Sequence, residues 1–240
     1  MIIYKNILKA IANGEKLFAV LIDPDKFKLG NTKSFIKKIN TSIATHIFVG
    51  GSTVDEHSTE MLVAEIKKYT NLPIVLFPGD VTQITNRADA LLFLSLISGK
   101  NPEYLIGKHI NAVSKLRGTH LEVIPTGYIL INSEVKTAVS RVTGTSAMSR
   151  NNIQLIVDTA KAGELLGMKL MYLEAGSGAK MPLNPEIITK VKQELKIPLI
   201  VGGGIRSVIE IENAHNAGAD FVVIGTAFEV NEELLNHLHQ

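Results

Sequence analysis

Three turns in this 240-residue chain combine small residues with groups that can bind a charged ligand. In the first, YLEAGSGA at 172–179, an apolar run ends in a glutamate and continues into glycine and serine; the others are VGGGIRS at 201–207 and VIGTAF at 223–228. Glycine lets a backbone come close to a ligand, and N–H groups at the start of a helix favour an anion. The three turns therefore predict a phosphate site, although glycine in such places can also simply permit a tight turn between strand and helix.

Glu174 is the residue whose type and position best suit a general base. A carboxylate at the end of an apolar strand should be partly desolvated, which raises its pKa and suits a general base. Tyr172 lies two residues earlier and therefore points to the same side of the strand. The alternative role for Glu174 is structural, in a salt bridge with a nearby basic residue such as Arg206.

Two further residues suggest a magnesium site. Asp23, in LIDPDK at 21–26, follows an apolar run, and a carboxylate there can bind Mg²⁺, which prefers one or two carboxylates, water and substrate phosphates. Ser52, in GGST at 50–53, offers a hard oxygen after the next apolar run. Each residue also has an ordinary alternative, because aspartate is common in turns and serine caps helices.

The elements that must position these residues alternate along the chain between short apolar runs and longer helical patterns. Near-continuous apolar strands indicate a parallel sheet buried on both faces, and eight strand–helix units predict a single (β/α)8 barrel over 1–240, with an open doubly wound sheet as the alternative. The predicted strands are 17–23, 45–51, 72–79, 88–97, 119–131, 168–176, 196–204 and 219–226, and the predicted helices are 31–40, 53–70, 151–167, 184–195, 207–218 and 229–239.

The barrel prediction brings the chemistry to one place. Active sites of such barrels lie at the C-terminal ends of the strands, and the turns after strands seven and eight often hold a phosphate. The candidate residues all follow predicted strands, so we expect them at one end of the barrel. Two regions fit the regular pattern poorly: 80–87 is short for a barrel helix, and 132–150 is long and polar.

The composition limits the partners. A net charge of +2 is too small to predict nucleic-acid binding. The chain contains no cysteine, which excludes thiolate metal sites and is compatible with the cytoplasmic location that we expect. We find no signal peptide and no apolar run of about 18 residues that would span a membrane. A lipid substrate would therefore be met from the water side, by transient contact with a membrane surface.

Six segments together resemble the geranylgeranylglyceryl phosphate synthase family and its bacterial heptaprenylglyceryl phosphate relatives. The resemblance extends from 21 to 229 and is carried by LIDPDK, VGGST, FPGD, YLEAGSGA, VGGGIRS and VVIGTAFE. It implies a modified (β/α)8 barrel in which an extended segment replaces helix three, which fits the short region at 80–87. It also implies transfer of a long prenyl chain from its diphosphate to the C3 hydroxyl of sn-glycerol 1-phosphate, with release of diphosphate.

The resemblance also implies roles for individual residues. Asp23 and Ser52 match the family's Mg²⁺ positions, and Glu174 is the expected base, with Tyr172 beside it. The positions matched to glycerol phosphate binding are Tyr172, Leu173, Glu174, Ala175, Gly176, Ser177, Gly178, Gly203, Gly204, Gly225 and Thr226. Where some relatives carry a lysine that meets the phosphate, this chain has Leu21, so phosphate binding would rest on backbone N–H groups, with Arg206 or Lys26 as candidate substitutes for the lysine.

Two other functions remain open at this point. A phosphosugar isomerase or aldolase could use Glu174 as a base on the same barrel, and a non-catalytic protein could simply bind a phosphate ligand. The prenyl reading requires an apolar groove, which FPGD, LLFLSLI and GYILI could line, although barrel core is the alternative for these runs. We also expect a homo-oligomer, because apolar patches on barrel helices would permit one.

Overall fold

The computed structural model describes residues 2–132 and 137–225. Eight parallel strands form a closed barrel in which every strand pairs with its neighbours in sequence and β1 pairs with β8. This confirms the (β/α)8 barrel, and the open doubly wound alternative is wrong. The strands are β1 Leu17–Ile22, β2 His46–Val49, β3 Ile74–Leu76, β4 Ala90–Leu96, β5 Glu122–Leu130, β6 Leu170–Glu174, β7 Leu199–Gly202 and β8 Phe221–Ile224.

Helices alternate with the strands around the outside of the barrel. None of those in residues 2–132 and 137–225 is long and apolar enough to cross a membrane. The predicted helix 229–239 lies outside the described residues. The helices are α1 Ile3–Ala12, α2 Thr32–Asn40, α3 Ser58–Ile66, α4 Lys108–Leu116, α5 Ala138–Thr143, α6 Ile153–Leu165, α7 Pro185–Glu194 and α8 Val208–Asn216.

Several elements differ from the sequence prediction for identifiable reasons. Strand β3 is shorter than the predicted 72–79 and lies between Pro73 and Pro78, which cannot donate to the sheet. Helix α3 begins five residues late because His57 has a left-handed backbone, with φ of 71°. The sequence pattern predicts no element over the segment of α4, where Ile110 is 64% exposed while His109 is buried. The larger apolar residues Ile110 and Val113 therefore do not mark the buried face of α4, which includes His109 and Ala112.

Alternation along the strands separates two apolar cores. Residues of one parity, such as Phe48 and Phe221, fill the barrel interior. Residues of the other parity, such as Val49 and Val222, pack against the surrounding helices. Because both faces are buried, the strands read as continuous apolar runs, and the polar groups of the chain concentrate at the strand ends.

The region between β3 and β4 lacks a barrel helix, as the family resemblance implied. One 3₁₀ turn, Val81–Gln83, stands in its place. The side-chain amide of Gln83 binds the loop after β2 through both of its polar atoms. Nε2 donates to the Gly51 carbonyl at 2.8 Å, and Oε1 accepts from the Gly51 N–H at 3.2 Å. The turn that stands in place of the helix therefore fixes the loop after β2.

Helix α1 packs at the N-terminal end of the barrel, away from the strand ends that carry the candidate site. Its Ile7 is buried against the barrel interior. Its first N–H groups are capped by a distant residue, because the Glu122 carboxylate accepts from Ile3 N at 2.7 Å and Tyr4 N at 2.8 Å. A carboxylate at this helix end also interacts favourably with the helix dipole.

We expect Glu122→Ala to lower the free energy of unfolding by about 1–2 kcal/mol, because both capping bonds are lost. Glu122→Gln keeps one acceptor and should lose less. Urea unfolding measures both effects. The geometry of the distant candidate site should be unchanged. An alanine variant that unfolds at the wild-type urea concentration would show that α1 does not depend on this cap.

Candidate active site

A cavity of about 470 Å³ opens at the C-terminal ends of the strands. Most of the residues predicted from the sequence line it together, although they come from five different strand ends. The structure therefore brings Glu174 and Asp23 to one cavity. The predicted residues in its wall are Asp23, Ser52, Tyr172, Glu174, Ser177, Gly178, Gly203, Gly204 and Gly225.

Three of the residues matched to glycerol phosphate binding do not line this cavity. Leu173 and Ala175 are fully buried in the core between barrel and helices, because they have the opposite parity to Glu174. The N–H of Ala175 donates to the Gly202 carbonyl at 3.0 Å, and the N–H of Gly176 donates to Glu174 Oε1 at 2.5 Å. Their N–H groups are thus used within the protein. Thr226 lies outside the described residues.

Glu174 lies at the end of β6 with only 7% of its surface exposed. Burial raises the pKa of its carboxyl to about 7, although the Gly176 N–H and the Tyr172 hydroxyl, which both donate to the carboxylate, act in the opposite direction. The carboxyl can therefore exchange a proton near neutral pH, which a general base requires. The Arg206 guanidinium instead donates to the carbonyls of Ala179 at 2.6 Å and Lys180 at 2.8 Å, so the salt bridge considered from the sequence is wrong.

Tyr172 is buried in an aromatic stack that the sequence analysis did not anticipate. Its ring stacks on Phe77, which directly follows β3, with centroids 5.1 Å apart. It also stacks on Tyr128 of β5, with centroids 5.4 Å apart. Tyr128 is the register partner of Tyr172 in the sheet, which places both rings on the inner face. The stack fixes the hydroxyl of Tyr172 toward Glu174. Phe77 and Tyr128 also line the cavity.

The turn after β7 is shaped so that its backbone faces the cavity. Gly203 and Gly204 are consecutive residues with positive φ, 85° and 74°. A Cβ atom on Gly203 would lie 2.3 Å from Glu174 Oε1, so only glycine permits this close approach of the two loops. No hydrogen bond within the described residues uses the N–H of either glycine. Successive N–H groups of this kind can form a concave anion site.

Asp23 is in direct contact with the loop after β2, which contains Gly51 and Ser52. A Cβ atom on Gly51 would lie within 3.0 Å of both Asp23 carboxylate oxygens, so this carboxylate packs against the residue that precedes Ser52. The carboxylate also pairs with Lys26 Nζ at 2.8 Å and accepts from Asp25 N at 3.2 Å. Within residues 2–132 and 137–225 no cluster of three His, Cys, Asp or Glu residues could hold a metal ion. The Asp23 carboxylate and the Ser52 hydroxyl would suit a Mg²⁺ ion whose other ligands are water and phosphate oxygens.

The cavity continues from this polar region into an apolar one beside β4. Side chains from both faces of β4, including Leu92 and Phe93, line this part of the cavity, and the Phe93 ring also packs against His109 of α4, with centroids 4.4 Å apart. The remaining apolar walls come from the turn after β3, the π-helical turn Glu103–Gly107, α4 and α5. They include Ile84, Tyr104, Ala112, Val139 and Val142, while Leu94 and Leu96 extend the contribution of β4.

The fold and the cavity define a (β/α)8-barrel protein whose site joins a polar, glycine-lined region to an apolar groove. The sequence comparisons then specify the family: residues 10–239 match the PcrB family, and the chain belongs to it. The match covers nearly the whole barrel, so it includes every loop that contributes to the cavity. The family resemblance seen in the sequence motifs is thereby confirmed.

Individual relatives agree with this assignment. The chain is 56% identical over 227 residues to a geranylgeranylglyceryl phosphate synthase of Flavobacterium johnsoniae, covering 95% of this chain and 93% of the relative. It is 54% identical over 226 residues to one of Zunongwangia profunda, covering 94% and 96%. Among solved structures, (S)-3-O-geranylgeranylglyceryl phosphate synthase from Thermoplasma acidophilum in complex with sn-glycerol-1-phosphate superposes with a TM-score of 0.92, at 32% identity, covering 100% of this chain and 96% of that chain.

Proposed function

We propose that this protein is a prenyltransferase that joins a long prenyl chain to the C3 hydroxyl of sn-glycerol 1-phosphate through an ether bond and releases diphosphate. One observation carries this proposal: the cavity joins a glycine-lined polar region beside Glu174 to an apolar groove beside β4. The names of the relatives, and the glycerol phosphate bound to the Thermoplasma acidophilum enzyme, support it.

The residues of the polar region suit the acceptor substrate. The N–H groups of Gly203 and Gly204 would bind the phosphate, and Glu174 would accept the proton of the C3 hydroxyl. The hydroxyl oxygen forms its new bond to C1 of the prenyl chain as the bond from C1 to the diphosphate oxygen breaks, and the bonding electrons leave with the diphosphate. The buried stack around Tyr172 would keep the Glu174 carboxylate oriented toward that hydroxyl.

Asp23 and Ser52 are the residues that would hold Mg²⁺ in this reaction. When bound, the ion would neutralise charge that develops on the departing diphosphate. In this arrangement Lys26 would turn from Asp23 toward a phosphate oxygen, and it could thereby replace the lysine that some relatives carry at the position of Leu21. Magnesium dependence is part of the proposal, and the carboxylate and hydroxyl of these two loops support it.

The two other functions are less consistent with the cavity. A phosphosugar isomerase or aldolase should enclose a small polar substrate, whereas this cavity extends along Phe93, Leu94 and Val142. A binding protein without catalysis would not need a buried carboxyl with a pKa of about 7 beside the phosphate region. Homo-oligomer formation, cytoplasmic location and transient contact with a membrane surface stay predictions from the sequence.

The decisive experiment is a direct assay. We expect purified protein, incubated with labelled glycerol 1-phosphate, Mg²⁺ and prenyl diphosphates of several lengths, to form a labelled product that partitions into organic solvent and resists alkaline hydrolysis, as an ether does. Removal of Mg²⁺ with a chelator should abolish the product, and Mg²⁺ in excess of the chelator should restore it. Absence of ether at every chain length would refute the proposal, and unchanged turnover under chelation would refute its magnesium component.

A further inference from the structure

Lys108 lies where the polar region of the cavity meets the apolar groove. It is the first residue of α4 and lines the cavity. Its ammonium group donates to the Asp80 carboxylate, which belongs to the loop after β3. It also lies 5.9 Å from the centroid of the Tyr104 ring, whose hydroxyl donates to the Val142 carbonyl of α5 at 3.2 Å. A positive charge is therefore held at the entrance to the groove.

The loop that carries Asp80 packs directly on the loop after β2, which contains Gly51 and Ser52. Gly79 N donates to the Gly51 carbonyl at 3.2 Å. A Cβ atom on Gly79 would lie 2.8 Å from the Ser52 carbonyl oxygen and 2.9 Å from Ser52 Cα, so the two loops are in backbone contact. A path of polar groups therefore leads from Asp23 past Ser52 to Lys108. A diphosphate bound between Asp23 and Lys108 would lie along this path.

Lys108 differs from two of the other cations in the described wall of the cavity. The guanidinium of Arg206 is bound to the backbone carbonyls of Ala179 and Lys180, and Lys26 pairs with Asp23. The bond from Asp80 raises the pKa of Lys108, so its ammonium group stays charged. The side chains of Lys108 and Asp80 are 29% and 32% exposed, so this pair can open to admit a ligand at modest cost.

We propose that Lys108 binds the diphosphate of the prenyl substrate and that Asp80 is a positioning residue, which holds the ammonium group at the groove entrance until the diphosphate arrives. This inference rests on the proposed function. Lysine binds phosphate as a compact, mobile charge, which suits a group that must later leave as free diphosphate. The Asp80 carboxylate also accepts a hydrogen bond from Thr82 N at 3.0 Å, and this bond keeps the carboxylate oriented within its own turn.

The test uses inorganic pyrophosphate with Mg²⁺ as the probe, and titration calorimetry on the whole protein as the measurement. Lys108→Met should weaken pyrophosphate binding about 10- to 100-fold, the range expected when a hydrogen bond to a charged group is removed. Lys108→Arg, which keeps the charge, should recover much of the affinity. Lys115→Met is the matched control: this lysine lies two turns further along α4, is exposed and does not line the active-site cavity.

Steady-state kinetics provide the second readout. Lys108→Met should raise KM for the prenyl diphosphate while KM for glycerol 1-phosphate stays within about twofold. Asp80→Asn keeps an acceptor for Thr82 N but removes the charge, and it should raise KM for the prenyl diphosphate to a smaller extent. A merely structural ion pair would instead change both KM values together and lower the unfolding temperature.

The two proposals fail in different ways. If the wild-type protein forms no ether with any prenyl diphosphate, the proposed function is refuted. If it forms the ether but Lys108→Met binds pyrophosphate as tightly as wild type and Lys115→Met do, the role of Lys108 is refuted and the function stands. Equal losses for Lys108→Met and Lys108→Arg would also overturn it, because charge would then not be the property that matters.

Discussion

Replacing Glu174 with glutamine is expected to slow ether formation by about 10²- to 10⁴-fold, the usual contribution of a general base. Glutamine has nearly the same shape, and its carbonyl oxygen can still accept the Gly176 N–H that now bonds Glu174 Oε1 at 2.5 Å. The loops around the phosphate region should therefore keep their geometry. Binding of glycerol 1-phosphate should stay near the wild-type affinity while turnover falls, which separates the base from the binding site.

The pH dependence of the wild-type protein follows from the same carboxyl. A base must be deprotonated to act, and burial raises the pKa of Glu174 from 4.5 to about 7. Turnover should therefore fall as the pH is lowered through about 7, and this ionisation should be missing from the residual activity of Glu174→Gln. Bound substrate phosphate can shift the midpoint further upward, because a nearby negative charge disfavours a second one.

The free energy of unfolding should change with pH in the opposite direction to turnover, because the buried carboxyl is costly to ionise. Because the folded state binds the proton more tightly than the unfolded state, the contribution of Glu174 to stability is full below 4.5 and is lost as the pH rises to about 7. Glutamine carries no such dependence. The stability of Glu174→Gln relative to wild type should thus improve by about 3 kcal/mol between the lower and the upper end of this range.

Turnover rates, glycerol phosphate affinity and urea unfolding at several pH values check these expectations. Glu212→Gln is a suitable control, since it makes the same change on the exposed face of α8 and should alter none of the three. Unchanged turnover in Glu174→Gln would remove this residue from the mechanism. Equal losses of turnover and glycerol phosphate affinity would assign it to binding instead.

The barrel could be predicted from the sequence because its signals are local and repeat. Most strands are apolar runs with glycine, aspartate or glutamate at or just after their ends, and the fold then brings these ends together without further information. The shortened region after β3 was also visible as a segment too brief for a helix. Helix α4 was missed because Ile110 and Val113 are exposed while His109 is buried, so its large apolar residues do not report its buried face.

The site was predictable where one residue type at a strand end suffices, as for Asp23 and Glu174. Contacts set by register between distant segments could not be seen. Tyr128 enters the site only because it pairs with Tyr172 across two strands, and Lys108 only because α4 places it on Asp80, 28 positions earlier. The use of the Gly176 N–H within the protein was equally hidden, since the motif shows a glycine but not the carboxylate that its N–H binds.

Gly203→Ala is expected to abolish glycerol 1-phosphate binding, with an affinity loss of at least about 100-fold. The new Cβ atom would lie 2.3 Å from Glu174 Oε1 and 2.7 Å from Gly176 N, well inside van der Waals contact. Relief requires the carboxylate or the whole turn after β7 to move, and either movement disrupts the proposed phosphate site. The left-handed backbone of Gly203, with φ of 85°, adds a strain of about 1–2 kcal/mol for any other residue.

Gly167→Ala isolates the backbone strain from the clash. Gly167 also has positive φ, 96°, but a Cβ atom there meets nothing within 4 Å, and the residue lies between α6 and β6, away from the cavity wall. Both variants should lose stability, yet only Gly203→Ala should lose the rise in unfolding temperature that glycerol 1-phosphate gives the wild-type protein. If Gly203→Ala keeps that rise, the turn after β7 does not bind the phosphate. The loop geometry would then serve to shield Glu174, and the phosphate would have to be held by the turns after β6 and β8.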